Sequence, residues 1–215
     1  MVYKVKELFY SLQGEGANAG RPAVFIRFSG CNLWSGREED RHKGPSCSRW
    51  CDTDFLGVDG TGGGIYPDAH ALAVAVAGEI PACVGQSHLP LVVCTGGEPL
   101  LQLDRPLTDA LHTLGYQIAV ETNGTLPVPE GVDWVTISPK ARTKLVVQAG
   151  DELKLVYPQA DVDPDWFVEM DFTHFFPQPL DGPDLAQNTR DAIDYCLTHP
   201  RWRLSVQTHK LLGLR

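Results

Sequence analysis

Apolar runs of strand length, rich in β-branched and aromatic residues, recur at positions 24–28, 91–94, 118–120, 134–137, 153–156, 174–176 and 204–206. Most are bounded by Gly, Pro, Asn or Asp, so the pattern predicts seven strands. Helical spacing lies between several of them. Ala69, Leu72, Ala73, Val76 and Ile80 repeat at helical intervals behind Pro67-Asp68, which predicts a helix starting there. Leu107, Ala110, Leu111 and Leu114 predict a second helix, opened by Asp104 and closed by Gly115. A third is expected from Asn188-Thr189 to His199, stopped by Pro200. Alternating strands and helices imply an α/β protein with a mainly parallel sheet and right-handed crossovers, either doubly wound or curled into a partial barrel. Residues 34–46, which are polar and charged, and 57–64, with five glycines, read as excursions from the core.

Six strands run into hydrogen-bonding clusters: Ser29-Gly30-Cys31, Thr95-Gly96-Gly97-Glu98-Pro99, Glu121-Thr122-Asn123-Gly124, Ser138-Pro139-Lys140, Gln178-Pro179-Leu180-Asp181 and Gln207-Thr208-His209-Lys210. In parallel α/β folds ligands bind at the carboxyl ends of the strands, so these clusters are expected to converge on one rim. Any one of them reads equally as turn chemistry; six together favour a site.

Composition narrows the class. A chain of 215 residues, 43% hydrophobic, is long enough for one sizeable core, and a single domain over residues 1–215 is expected. Eighteen Lys and Arg against 27 Asp and Glu leave a net charge of −9, which argues against a protein that grips nucleic acid by neutralising phosphates. No segment approaches the ~20 consecutive apolar residues of a membrane span. The opening Met1-Val2-Tyr3-Lys4-Val5-Lys6 lacks the basic start and apolar run of a secretory signal. A cytoplasmic protein with no membrane or direct nucleic-acid partner is the expectation.

Six cysteines are too few for a disulfide scaffold, but Cys31, Cys47 and Cys51 fall close together. Three thiolates leave one position of a tetrahedral metal, or one iron of a cubane cluster, without a protein ligand. Structural zinc usually takes four protein ligands, and no second pair of cysteines follows. An iron–sulfur cluster with one open iron fits the arithmetic better. Cys83, Cys94 and Cys196 read as small packed hydrophobes.

Gly30-Cys31-Asn32-Leu33-Trp34, Trp50-Cys51-Asp52-Thr53 and Thr95-Gly96-Gly97-Glu98-Pro99 resemble the radical S-adenosylmethionine (SAM) superfamily. Within it, Leu12-Gln13-Gly14-Glu15-Gly16 and Gln207-Thr208-His209-Lys210 resemble the 7-carboxy-7-deazaguanine synthase family. The similarity runs from about Tyr10 to the carboxyl terminus and is specific in combination. The implied fold is a reduced, partial and open radical-SAM-type TIM barrel with outer helices, in keeping with a chain short for a complete eight-fold barrel. One departure stands out. The superfamily usually places three and then two residues between its cysteines; here residues 32–46 and then 48–50 intervene. Cys47 is retained as a ligand because no other cysteine lies in the segment, and a four-residue step suits one helical turn or a bulged loop.

The resemblance implies that Cys31, Cys47 and Cys51 hold a 4Fe–4S cluster whose open iron is chelated by SAM. The implied reaction converts 6-carboxy-5,6,7,8-tetrahydropterin to 7-carboxy-7-deazaguanine with loss of ammonia, on the route to queuosine and related 7-deazapurines. SAM would be held by Trp50, Asp52, Gly96, Gly97, Glu98, Ser138, Pro139, Lys140, Gln178, Pro179, Leu180 and Asp181. The pterin would be held by Leu12, Gln13, Gly14, Glu15, Arg27, Thr95, His209 and the terminal carboxylate of Arg215, with Mg2+ bridging its carboxylate to Thr53. Arg27 sits in an otherwise apolar strand, where an inward guanidinium needs an anionic partner. Simpler roles stand beside these: Trp50 as a shield over a buried cluster, Arg27 as a solvated outward charge, Asp52 as a helix cap and Thr53 as a turn residue. A homodimer and a flavodoxin- or ferredoxin-type reductant are implied partners, and the insert at about 34–46 either covers the site or docks the reductant. Two rival functions are a glycyl-radical-enzyme activase of the same superfamily and a non-enzymatic zinc-binding module.

Overall fold

A computed structural model of the chain describes residues 1–85 and 89–214. Eight strands form one sheet: β1 (Tyr3–Leu12), β2 (Pro22–Phe28), β3 (Gly64–Tyr66), β4 (Leu91–Gly96), β5 (Ile118–Thr122), β6 (Trp134–Ile137), β7 (Ala149–Tyr157) and β8 (Asp171–Pro179). Their order is β3-β1-β2-β4-β5-β6-β7-β8. From β2 to β8 all neighbours are parallel, while β1 and β3 add an antiparallel edge. The sheet stays open, with β3 and β8 as its two edges, as expected for a reduced barrel.

Period-two alternation divides the strands between two faces. Val24, Ile26, Phe28, Val92, Cys94, Ile118 and Val120 pack outward against α1 (Ala69–Gly78) and α2 (Arg105–Thr113) through Leu72, Val76, Leu107 and Leu111. Leu153, Leu155 and Phe175 pack outward near Tyr195 and Cys196 of α3 (Leu185–Thr198). Inward, Phe9, Ala23, Phe25, Leu91, Val93, Ala119 and Trp134 make an apolar floor on which Phe9 and Phe25 stack at 5.1 Å. The same alternation, two residues further along, places Arg27, Thr95 and Glu121 above that floor.

Asp68 and Asp104 cap α1 and α2 as expected, accepting the N–H groups of Ala71 and Leu107. Gly115, at φ 84°, closes the turn after α2. The third helix starts earlier than expected, at Leu185, because the Asn188 side chain donates to Leu180 O at 2.7 Å and caps nothing. Strand β1 escaped the pattern because its register shifts between Val5 and Glu7, which breaks the alternation. The expected strand at 204–206 is not one. Arg203 and Ser205 donate to Phe175 O and Pro177 O of β8, but the return donors on that edge would be Pro177 and Pro179, which have no N–H. The two prolines therefore end the sheet, and the chain leaves it to form α4 (Thr208–Leu212).

Cys94 is a buried core thiol, its pKa pushed up to about 12 by burial, and Cys196, on α3, packs half-buried against the core cluster of β7 and β8. Cys83 corrects its expectation: it lies exposed in the loop after α1, beyond the reach of the core. No helix among the described residues is long and apolar enough to cross a membrane.

Candidate active site

The strand ends surround a cavity of about 490 Å³ lined by residues from β1 through α4. It gathers most of the residues singled out in the sequence: Leu12, Gln13, Gly14, Glu15, Arg27, Trp50, Cys51, Asp52, Thr53, Thr95, Gly96, Gly97, Ser138, Lys140, Gln178 and His209. Pro179, Leu180 and Asp181 line an adjoining recess of about 40 Å³ that shares Trp50, Asp52 and Gln178. Pro139 turns its carbonyl to Gln159 Nε2 at 3.2 Å. Arg215 lies outside the described residues.

At one end stands the cysteine loop. Cys31 follows β2, and Cys47 lies on a short 3-10 turn, Ser46–Arg49. Cys51 N donates to Cys47 O at 2.9 Å, so the four-residue step between them closes as one helical turn. Burial raises Cys31, against the N–H groups of Leu33 and Trp34, and Glu98 and Cys51 add to the rise. Burial pushes Cys47 up to about 11; Lys140 opposes this, while Cys31 and Cys51 reinforce it. The three thiols thus lie within one another's field. Among the described residues, however, no three Cys, His, Asp or Glu side chains close into a metal cage. Three thiols carried on one loop are a donor set for a cluster with one open position rather than for four-ligand zinc.

Gly96 and Gly97 press against this loop. A Cβ at Gly97 would lie 2.2 Å from Gly30 O and 2.8 Å from Cys31 Cβ, and Gly96 adopts φ 137°. Glu98 turns away from the cavity. It is fully buried and accepts hydrogen bonds from Thr122 Oγ1 at 2.7 Å, Asn123 N at 2.9 Å and Leu100 N at 3.0 Å. Burial raises its carboxyl despite those bonds. Its side chain therefore ties the loop after β4 to the loop after β5, and of this motif Thr95, Gly96 and Gly97 line the cavity while Glu98 does not. Lys140 donates to Ser138 O at 2.7 Å and sits 5.7 Å from the Trp50 ring centre.

The other end is a network of charges above the apolar floor. Lys154 Nζ bonds Glu15 Oε2 and reaches Glu121 Oε1 at 3.3 Å. Gln13 Nε2 donates to Glu121 Oε1 at 3.0 Å, Thr95 Oγ1 to Glu121 Oε2 at 3.3 Å, and Gln207 Nε2 to Glu15 Oε1 at 3.0 Å. Gly14 lies so close to α4 that a Cβ there would meet His209 Nδ1 at 2.3 Å. Arg27 faces inward, as its setting demanded, but its Nε already donates to Glu7 Oε1 at 2.6 Å. Lys210 of α4 bonds both Asp52 and Asp181 across the mouth. Sequence reasoning did not single out Glu7, Glu121, Lys154, Gln207 or Lys210 as ligands. For Lys154 the signal was present: a cation inside an apolar strand, the same signal that drew attention to Arg27.

Burial pushes the Glu15 carboxyl up, and the Lys154 ammonium with the Gln207 amide outweighs this, holding it down to about 2. Such a group contributes stability above its unfolded value of 4.5 and loses it as pH falls toward about 2. Acid unfolding of the wild-type chain, followed by circular dichroism, is expected to steepen below that unfolded value. Glu15→Gln removes this component; identical pH dependence in the two proteins would contradict the ion pair.

No protein-family model matches the chain. It is 59% identical over 214 residues to the 7-carboxy-7-deazaguanine synthase of Burkholderia multivorans, covering the whole of both chains. It is 58% identical over 215 residues to that of Bordetella pertussis, again over the whole of both. A solved structure, QueE from Escherichia coli, superposes with a TM-score of 0.66 at 29% identity, covering 96% of this chain and 94% of that one. With this identity running end to end, and with the open, mainly parallel sheet shared, the chain belongs to the 7-carboxy-7-deazaguanine synthase family.

Proposed function

We propose that the protein is a radical SAM carbon–nitrogen lyase that converts 6-carboxy-5,6,7,8-tetrahydropterin to 7-carboxy-7-deazaguanine with loss of ammonia. The observation that carries this reading is one cavity lined at one end by Cys51 of the cysteine loop and at the other by a carboxylate–ammonium network. Cys31, Cys47 and Cys51 would hold the 4Fe–4S cluster. When bound, cluster and SAM supply one-electron cleavage of the sulfonium and a carbon radical that takes hydrogen from C6 of the pterin.

The chain's own residues bind and orient. Gly96 and Gly97, whose backbone lies against Cys31, would hold SAM together with Trp50, Asp52, Ser138, Lys140 and Gln178, and with Pro179, Leu180 and Asp181 in the adjoining recess. Glu98 positions this segment from beneath. Leu12, Gln13, Gly14, Glu15, Thr95 and His209, which line the cavity, would hold the pterin, and Arg27, steadied by Glu7, would meet its carboxylate. Thr53, at the cavity wall, would take Mg2+ together with that carboxylate. The Asp52–Lys210–Asp181 bridge limits access of water across the mouth.

A single radical SAM core domain with an insert at about 34–46, a cytoplasmic homodimer and a flavodoxin- or ferredoxin-type reductant belong to the same reading. The exposed Ile65 on edge strand β3 and Val74 on α1 supply apolar surface for a second copy.

The test is an anaerobic assay of reconstituted protein with SAM, a strong reductant and the tetrahydropterin. Both 5′-deoxyadenosine and 7-carboxy-7-deazaguanine are expected. SAM cleavage without the deazaguanine would favour an activase, and stoichiometric zinc with no affinity for iron would favour a binding module.

A further inference from the structure

The insert makes specific contacts with the turn that carries two of the three thiols. Arg41 Nη1 donates to Ser48 O at 2.8 Å and to Cys51 O at 3.0 Å. Its Nε is held by Glu38 Oε2 at 2.7 Å, and its guanidinium lies 5.1 Å from the Trp34 ring centre. The contact is reciprocal, because the buried Ser48 hydroxyl is shared between Arg41 O and Pro45 O. Trp34 in turn packs edge-on against Phe55 at 5.6 Å, and Phe55 O accepts the N–H of Gly30, the residue before Cys31, at 3.0 Å. The insert thus braces the Cys47–Cys51 turn directly through Arg41, and reaches the residue before Cys31 through Trp34 and Phe55.

We propose that Arg41 is a positioning residue for the cluster: by holding the carbonyls of Ser48 and Cys51 it fixes the one-turn step between Cys47 and Cys51. This rests on the reading of the three cysteines as cluster ligands. The insert is then an internal brace. Although its charge is paired with Glu38, the guanidinium's hydrogen bond to the carbonyl of a ligand residue also favours the reduced, more negative state of the cluster.

Arg41→Gln removes the charge and the double donor while leaving the sheet untouched. In metal-free protein, amide exchange at Trp50 and Cys51 is expected to quicken about tenfold or more, the factor carried by a charge-assisted hydrogen bond. In reconstituted protein, iron is expected to pass to a chelator about tenfold faster, as for loss of an outer-shell partner, and the midpoint potential of the cluster to fall. Arg41→Lys restores the potential but not the slow exchange. Should Arg41→Gln fail to fold, Ser48→Ala, which deletes only the returning hydroxyl, is expected to show the same faster exchange. Wild-type exchange, iron retention and potential in the Arg41 variant overturn the proposal. If Cys47→Ala loses iron while Arg41→Gln behaves as wild type, the brace alone fails. If Cys47→Ala keeps all its iron, the ligand reading fails first.

Discussion

Alanine at Cys31, Cys47 or Cys51 is expected to abolish iron binding and deazaguanine formation together. The loss should exceed the ~10–100-fold that removing an outer-shell partner costs a metal site, because a direct ligand disappears. Cys47 is the critical case. The residues between Cys47 and Cys51 number one more than the superfamily usually has, yet Cys51 N reaches Cys47 O at 2.9 Å, so the step closes as a helical turn and both thiols stay on the same loop. Cys94→Ala is the control: that thiol is buried in the outer core among Val92, Val120 and the helices. It should cost stability by leaving a small cavity while iron content stays at the wild-type level. Iron analysis and the absorption spectrum of anaerobically reconstituted variants decide the matter. Full iron in any of the three loop variants removes that residue from the site, and iron loss in Cys94→Ala would undo the division into ligands and core thiols.

Lys154→Met is expected to be the most damaging change outside the cysteines. The Lys154 side chain is 5% exposed and is the shared partner of Glu15 and Glu121. Burial opposes its charge, but Glu121, Glu15 and Glu152 outweigh burial and raise its pKa. Removing one member of a buried ion pair leaves an uncompensated charge, at a cost of about 3–5 kcal/mol. For a chain of this size that corresponds to a melting temperature lowered by roughly 6–20 °C. Substrate affinity should fall as well, since Glu15 loses the contact that holds its loop against β7, and Glu121, the acceptor of Gln13, loses its cation. A double variant, Lys154→Met with Glu15→Gln, is expected to recover part of the stability, because one stranded carboxylate is then neutral. A single variant melting within about 2 °C of wild type, a shift that corresponds to about 1 kcal/mol or less for a chain of this size, would show that the network carries no such weight.

Much of the fold was legible because its signals are local. Strand-length apolar runs bounded by turn residues marked β2, β4, β5, β6, β7 and β8, and aspartate caps marked the starts of α1 and α2. Strand β1 stayed hidden because a bulge shifts its alternation, and the final expected strand failed because two prolines on a neighbouring strand, far away in sequence, withhold its return hydrogen bonds. The site was legible as an inventory. Glycines beside a cysteine loop, polar clusters at strand ends and a cation in an apolar strand each carried a reason of their own.

Partner choice could not be read this way. Arg27 was expected to wait for a ligand's carboxylate, but the antiparallel register of β1 brings Glu7 directly opposite it. Glu98 belongs to a motif at the cavity, but its carboxylate finds three donors beneath the surface and points there. Arg41 looked like one charge in a solvated stretch until its carbonyl partners were in view.

The sequence by itself determined the parallel order of alternating strands, the inventory of thiols and polar strand ends, and, through end-to-end identity with its relatives, the family. Periodicity, capping and turn chemistry act over a few residues and survive in a one-dimensional reading. Only the tertiary structure decided which charge meets which. Glu15 and Gln207 stand 192 residues apart and share a hydrogen bond solely because the curled sheet brings the loop after β1 against the tail after β8. Buried charges are placed by the partners that offset their lost hydration, and those partners are set by register and closure of the sheet.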